Sequence, residues 1–533
     1  MNIRIHQLDL PPGYTADQLA KAAAKALRCP PSALKKLKTT RRSIDARGRA
    51  PRMTVSAEAE FTGRLATGLR NVEPVSDSAL PPRPSLRACG GPRPLVVGAG
   101  PAGLMAAFSL ADAGLKPILI ERGEPAEQRT RRVEAFWKNG ELNTESNVLF
   151  GEGGAGLFSD GKLTSRSKDR PRVRRFLEIL VQCGAPPDIL IDAEPHLGSD
   201  TLVALVPELR RRLQTLGGEI RFGARLDQLD IENGAVRGAM ISSQPMRTDT
   251  CVLATGHSAR DVYAMLARHG VPMEAKPFAV GVRLEIPQHR IDTAQWGGPV
   301  PVLGKASFRL TRREEGVARP CYTFCMCPGG VVMACASSNG LLTTNGMSLS
   351  RRDQPFGNAA FLAPVNCRDF GGSASDPQAG IAFQRRMEAA AFAAGGSDYN
   401  LPAQRLTDYL EGTPSKDVPT ERSCARARPS DLRGLLPEFV DQTLRSAIPK
   451  MLRSLRGVRI EEALLYAAET RSSSPVRVVR DDNGQSPGLR GLYPCGEGAG
   501  YAGGIVSSGM DGLRIAESVI ARFAHNNEEN KGP

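Results

Sequence analysis

Apolar and polar positions change their period several times along this chain, and each change marks an element. "MNIRIHQLDL" and "PRMTVSAEAEF" alternate apolar with polar residues, the period-two pattern of half-buried strands, while "DQLAKAAAKAL" between them carries helical spacing. Residues 1–75 therefore read as a small α+β domain. Residues 76–92, "SDSALPPRPSLRACGGP", lose all periodicity and are crowded with Pro, Gly and Ser, which predicts a linker. Beyond it, "PLVV" is a fully apolar strand, "PAGLMAAFSLADAG" a helix that stops at Gly114, and "KPILIE" a second apolar strand ending in Glu121. "TLVALVPELRRRLQTLGG" has helical spacing; "EIRFG" and "LDQLDIENGAVRGAMIS" read as strands, with Asn233 and Gly234 as a tight turn; "TCVLATG" is a buried strand. "NVLF" before Gly151 has strand character. "FAVGVRLEIP", "ASFRLT", "CYTFCMCP" and "GVVMACAS" read as strands of a further sheet, and "SSGMDGLRIAESVIARFAH" as a late helix capped by Ser507 or Ser508.

Three segments match G-x-G-x-x-G: Gly98, Gly100 and Gly103; Gly151, Gly153 and Gly156; and Gly498, Gly500 and Gly503. Only the first has the strand, turn, helix, strand and acid order of a dinucleotide fold, with Glu121 lying 18 residues beyond Gly103. There Gly98 permits the turn, Gly100 lets the backbone approach a pyrophosphate, and Gly103 lets helix and strand pack closely. The free N–H groups at the helix start favour an anion. Glu121 suits ribose hydroxyls and repels a 2′-phosphate, which excludes NADP at this site and leaves FAD or NAD. The other two matches are loops whose glycines bring backbone close to something flat or anionic.

The composition sets outer limits. With 533 residues and 41% apolar positions the chain can fill two or three cores. The apolar run Leu95–Ala111 holds three glycines and a proline and falls short of the roughly 20 residues of a spanning helix, so no membrane partner is expected. The N-terminus lacks a secretory apolar core and the eleven cysteines are scattered, which points to a reduced, cytoplasmic setting. Of the net charge of +14, residues 1–93 carry an excess of ten, with 17 Lys and Arg against 7 Asp and Glu. The cluster "KKLKTTRRSIDARGR" reads first as a solvated face and second as a docking patch for RNA.

"VVGAGPAGL" with its distant acid, "VLATGHSARD" and "LYPCGEGAGYAGG" resemble the FAD-dependent oxidoreductases of glutathione-reductase type. More narrowly, "GEGGAGLFSDGKL", "KPFAVGVRLE", "FCMCPGG", "NGMSLSRRD", "ETRSSSPVR" and "GEGAGYAGGIVSSGMDG" are similar to a bacterial and plastid family of largely uncharacterised FAD-dependent dehydrogenases, over about residues 93–523. The resemblance implies an α/β fold: a Rossmann-like FAD-binding domain with a parallel sheet and a β-meander over 93–260 and 485–525, an inserted α+β substrate domain over 261–484, the small N-terminal α+β domain, and a disordered tail over 526–533. It implies one FAD held by all three glycine loops. Gly98, Gly100, Pro101, Ala102 and Gly103 would hold the pyrophosphate, with Glu121 and Arg122 at the adenosine ribose. Gly153, Gly154, Ala155 and Gly156 would lie along phosphates and flavin, Thr255 and Gly256 beside the nucleotide, Gly496 and Glu497 at the ribityl chain, and Gly504 and Ile505 at the helix start facing the flavin. In one departure from the family pattern, Ile286 stands where a His usually precedes the proline in "RLEIPQ".

Candidates for catalysis are Lys162 as a positive charge near flavin or substrate, Arg283 and Arg471, with Arg477, as clamps for a substrate carboxylate, and His257 as a base. The plainer readings are a solvated Lys, salt-bridged Arg residues, and a His bonded to backbone. Cys325 and Cys327, two apart, would share one strand face: as buried packing thiols, the preferred reading, as a redox pair facing the flavin, or as metal ligands with Cys321 and Cys335, which zinc and iron–sulfur spacings disfavour, so no metal is expected. The expected activity is hydride transfer between a small organic substrate and FAD, with NAD(P)H as a transient electron donor. The alternatives are a flavin monooxygenase and an RNA-associated flavoprotein that docks through residues 1–75.

Overall fold

The computed structural model describes residues 1–48, 50–65, 68–75, 92–317, 319–373 and 376–529. The linker predicted over 76–92 lies outside them except for Pro92. The N-terminal strands Leu34–Asp45, Arg52–Phe61, Asn2–Leu10 and Val72–Pro74 form an antiparallel sheet in that order, covered by the helix Ala16–Leu27. That helix starts where Thr15 and Gln18 cap each other reciprocally. Much of the basic charge here is met internally: Lys36 pairs with Glu60, Arg4 and Lys38 with Glu58, Arg52 with Asp9, and Arg42 with Asp188 and Asp192 of the next domain.

The nucleotide domain is built on a five-stranded parallel sheet, ordered Leu492–Pro494, Cys251–Leu253, Leu95–Val97, Ile118–Ile120, Glu219–Arg221. Its inner strands are apolar throughout because both faces are covered. Val96, Leu119 and Val252 pack on the helices Pro101–Asp112 and Ile505–Glu529. Leu95, Val97, Ile120 and Leu253 pack on the meander Leu226–Glu232, Ala235–Ile241, Gln244–Arg247 and on the helix Arg260–Arg268. The Asn233-Gly234 turn has positive φ at both residues, as a tight hairpin requires. The helix Arg260–Arg268 and the strand Val476–Val478 share this core, although both lie past the sequence boundaries at 260 and 485. The last helix runs to Glu529, through the start of the tail predicted as disordered; 530–533 lie outside the described residues.

The second domain holds a seven-stranded sheet, ordered Thr311–Arg312, Cys321–Cys327, Phe356–Val365, Phe278–Pro287, Leu464–Glu469, Leu401–Arg405, Ala427–Pro429. Four details differ from expectation. "ASFRLT" contributes only its last residue to a strand, with Ala306 held instead by the Asp292 carboxylate. "GVVMACAS" pairs outside the main sheet, with Thr343–Met347. "NVLF" is irregular. Ser507 sits inside the first helical turn, its hydroxyl exchanging bonds with Gly503, so the helix begins at Ile505 without a serine cap.

Candidate functional site

The cleft between the two domains opens to solvent and is lined by segments from across the chain. Gly98, Gly100, Pro101 and Ala102 form one wall, Gly154, Ala155 and Gly156 another, and Thr255, Gly256, Glu497, Gly504 and Ile505 a third. The loops touch where glycines allow it. A Cβ on Gly154 would lie 2.9 Å from Cα of Gly100, one on Gly156 2.9 Å from the Ile505 side chain, and one on Gly498 2.5 Å from the Gly256 carbonyl. Gly103 packs behind the wall, where a Cβ would overlap the Gly98 carbonyl oxygen. Gly153 donates to the Ala99 carbonyl at 2.8 Å and Gly496 to Asp511 at 2.7 Å, so both brace the loops from outside the cleft lining.

Among the described residues, Glu121, Glu497 and Asp160 are the acidic groups that line this region. Glu121 accepts the backbone N–H groups of Ala99 at 2.8 Å, Gly123 at 2.9 Å and Gly151 at 3.0 Å. Its oxygens have room for one more donor, so it staples three loops as well as facing the cleft. Glu497 is half-buried, and desolvation at the cleft pushes its carboxyl up to about 7, against a backbone bond from Gly504 and the charge of Lys276. Arg122 also lines the cleft, held by Glu145 and Asp261 with its guanidinium over the Phe150 ring.

The second glycine loop is shaped by a residue that sequence reading passed over. Arg129 is fully buried and donates to the carbonyls of Asn147, Val148, Gly151, Glu152 and Gly154. Burial lowers its pKa to about 10, opposed by Glu121 and Glu152. One signal existed: Arg129 occupies the buried stripe of its helix with Ala126, Val133 and Phe136.

The catalytic candidates fare differently. Lys162 does line the cleft; its ammonium bonds the Met326 carbonyl and pairs with Asp160 at 2.8 Å. Burial alone would raise Asp160, but Lys162 and Arg352 hold it low. Arg283 does not reach the cleft, and the expectation of a substrate clamp there is corrected. It is fully buried and gives all five donors to Glu469, Asn358, Asn345 and the Cys325 carbonyl. Arg471 lines the cleft, yet its guanidinium chelates Glu388 and bonds Ser258 and Ser337, so it too is spent on structure. Arg477 lies apart, half-exposed beside Tyr501. His257 lines the cleft with Nδ1 buried and unpartnered rather than bonded to backbone. Burial, with Arg471 and Arg260, drives it down to about 3, which leaves a neutral imidazole of low basicity in place of the expected base. Ile286 is buried in the core of the second domain and does not line the cleft.

The residues present suit a dinucleotide such as FAD. The helix Pro101–Asp112 starts at Gly100 with no side-chain cap, so its leading N–H groups are open to an anion at a glycine-cleared wall. The unpartnered Nδ1 of His257 is a buried polar atom awaiting a partner in the same cleft.

Residues 93–134 match an FAD-binding domain, residues 277–472 an FAD-dependent protein, C-terminal domain-like, and residues 2–60 a domain of unknown function. An uncharacterized protein of Clostridium beijerinckii is 39% identical over 98% of this chain and 99% of its own. Thiamine thiazole synthase of Aeropyrum pernix is 27% identical over 34% of this chain and 60% of its own. Among solved structures, E. coli quinol fumarate reductase overlaps 82% of this chain and 71% of its own, at 15% identity and a TM-score of 0.38. Among the described residues, no helix is long and apolar enough to cross a membrane.

Proposed function

Since this chain belongs to the family of the Clostridium beijerinckii protein and to the FAD-dependent oxidoreductase superfamily, we propose that it transfers a hydride between a small organic substrate and the N5 position of FAD held in the interdomain cleft. This reading also takes the narrower family to be that of the FAD-dependent dehydrogenases with the GEGGAG and GEGAGYAGG motifs. The observation that carries it is the convergence of three remote glycine loops and an uncapped helix start on one cleft, with the second domain walling the far side through Phe324, Cys325 and Asn345.

FAD, when bound, supplies the two-electron chemistry. The chain supplies position and charge. Gly98 to Ala102 and the helix start would hold the pyrophosphate, Glu121 the ribose through its remaining lone pair, and Glu497 the ribityl chain. Lys162 keeps a fixed ammonium on the cleft wall, and neutral His257 offers a hydrogen-bonding nitrogen without charge. With Arg283 and Arg471 committed to carboxylates, a carboxylate clamp on the substrate is not part of this reading.

Anaerobic titration of the yellow protein with NADH, NADPH and organic donors, followed by air, tests the proposal. Bleaching by NAD(P)H marks a reductase, and bleaching only by an organic donor marks a dehydrogenase. Protein that stays colourless after added FAD overturns the reading, and a fast oxygen-dependent product favours a monooxygenase.

A further inference from the structure

We propose that Cys325 and Cys327 form a dithiol–disulfide exchange pair on the cleft wall, Cys325 attacking a small-molecule disulfide and Cys327 resolving the adduct. A regular strand would have turned both side chains to one face, but this strand is bulged. Phe324 pairs with Ala360 and Cys327 with Asn358, so Cys325 and Met326 together stand opposite Ala359. Cys325 adopts φ +43°, a left-handed conformation that costs a non-glycine residue on the order of 1 kcal/mol and that bulges use to re-aim a side chain. The result is a half-buried Cys325 on the cleft and a buried Cys327 behind it.

The surroundings favour thiolate at one sulfur only. The Cys327 thiol is placed to donate to the Cys325 carbonyl, 3.3 Å away. The neighbouring Cys327 thiol, as a donor to a thiolate, with the charges of Lys162 and Arg283, brings Cys325 down to about 6 against burial and the charge of Asp160. The same contact and burial push Cys327 up, which keeps it a thiol until its partner is consumed. Burial pushes Cys321, Cys335 and Cys424 up to about 12, so they stay inert. Residues two apart in a flat strand sit about 6.7 Å between Cα atoms, near the upper limit for a bridge.

The exchange balances without any cofactor. The Cys325 thiolate attacks one sulfur of RS–SR; the RS–SR bond breaks, the Cys325–SR bond forms, and RS⁻ leaves and takes a proton. Cys327 then loses its proton and attacks the Cys325 sulfur; the intramolecular disulfide forms and the second RSH departs. Two protein thiols are oxidised by two electrons and one external disulfide is reduced to two thiols. The step stands apart from the FAD reading.

The test adds 2,2′-dithiodipyridine to the full-length protein at neutral pH, with flavin content read separately from the absorbance spectrum. The wild type should release two thiopyridone equivalents in a fast phase and yield a peptide bridged between Cys325 and Cys327. Cys327→Ser should release one and keep a mixed disulfide on Cys325, and Cys325→Ser should lose the fast phase. Iodoacetamide mapping of the wild type gives a readout independent of any variant's folding: Cys325 should react about tenfold faster than half-buried Cys29 and Cys367 at neutral pH, with a profile shifted to acid. A fast phase surviving in Cys325→Ser, two equivalents from Cys327→Ser, or labelling of Cys325 no faster than of Cys29 overturns the proposal. Colourless protein that still exchanges refutes the FAD reading alone, and yellow protein that does not exchange refutes this one alone.

Discussion

The carboxylate of Glu121 accepts the backbone N–H of Gly151 at 3.0 Å, tying the end of the second nucleotide strand to a glycine loop 30 residues away. With its bonds from Ala99 and Gly123, both oxygens act only as acceptors. A glutamine would always turn its NH₂ toward one of these N–H groups, leaving a buried donor unsatisfied at about 1–3 kcal/mol. Glu121→Gln should therefore lower the melting temperature and the flavin retained through gel filtration. Wild-type values of both would refute the staple.

Arg129 should be still less replaceable. Its five hydrogen bonds all end on carbonyls of residues 147–154, so Arg129→Met strands several buried acceptors at once and leaves Glu121 and Glu152 without a nearby buried cation. A loss of about 3–5 kcal/mol in urea unfolding is expected, with weakened flavin binding, because the loop that meets Gly100 loses its frame. Arg129→Lys, which keeps the charge but only three donors, should recover only part of it.

Glu388 bridges two guanidinium groups, accepting from Arg260 at 2.8 and 2.9 Å and from Arg471 at 2.8 and 2.9 Å. Burial alone would raise its pKa, but the two arginines pull it down to about 2. Its contribution is thus present above its unfolded value near 4.5 and fades as pH falls toward 2. Glu388→Gln leaves two uncompensated cations in the wall that also carries His257, and should cost about 3–5 kcal/mol at neutral pH. Comparison of urea midpoints near neutrality and near pH 3 checks this: the gap between wild type and variant should shrink in acid.

How much of this was legible in the chain depends on how local each cause is. The first glycine turn, its helix and the acid at 121 follow from a contiguous period change, and the Asn233-Gly234 hairpin from two residues. Arg283 defeats such reading because its partner Glu469 lies 186 residues away, and an arginine in a strand looks the same whether it awaits a substrate or a distant carboxylate. The bulge at Cys325 is equally hidden: period-two spacing predicts a regular strand, and the extra residue exists only in the pairing with Phe356–Val365. Arg129 falls between these cases, since its place on an apolar helix stripe marks it as buried while its five carbonyl partners depend on how a separate loop folds over it.

Glu497 gives the sharpest pH prediction, because its shift runs opposite to that of Glu388. Its carboxyl is pushed up to about 7 by desolvation, from an ordinary value near 4.5. Between those values the unfolded chain is ionised while the native state keeps its proton, so this group's contribution is full in acid and declines as pH rises through the window, by at most about 3 kcal/mol. His257 acts in the other sense: neutral in the fold down to about 3 and titrating near 6.5 when unfolded, it adds stability as pH rises. The wild-type profile mixes the two, but its difference from Glu497→Gln isolates the carboxyl. Urea melts of the flavin-stripped proteins should nearly coincide at about pH 4 and favour the glutamine variant at about pH 8, since only the wild type must then bury a charge. Parallel profiles across that range would mean that Glu497 ionises as easily in the fold as in water, and would remove the case for a desolvated acid at this end of the cleft.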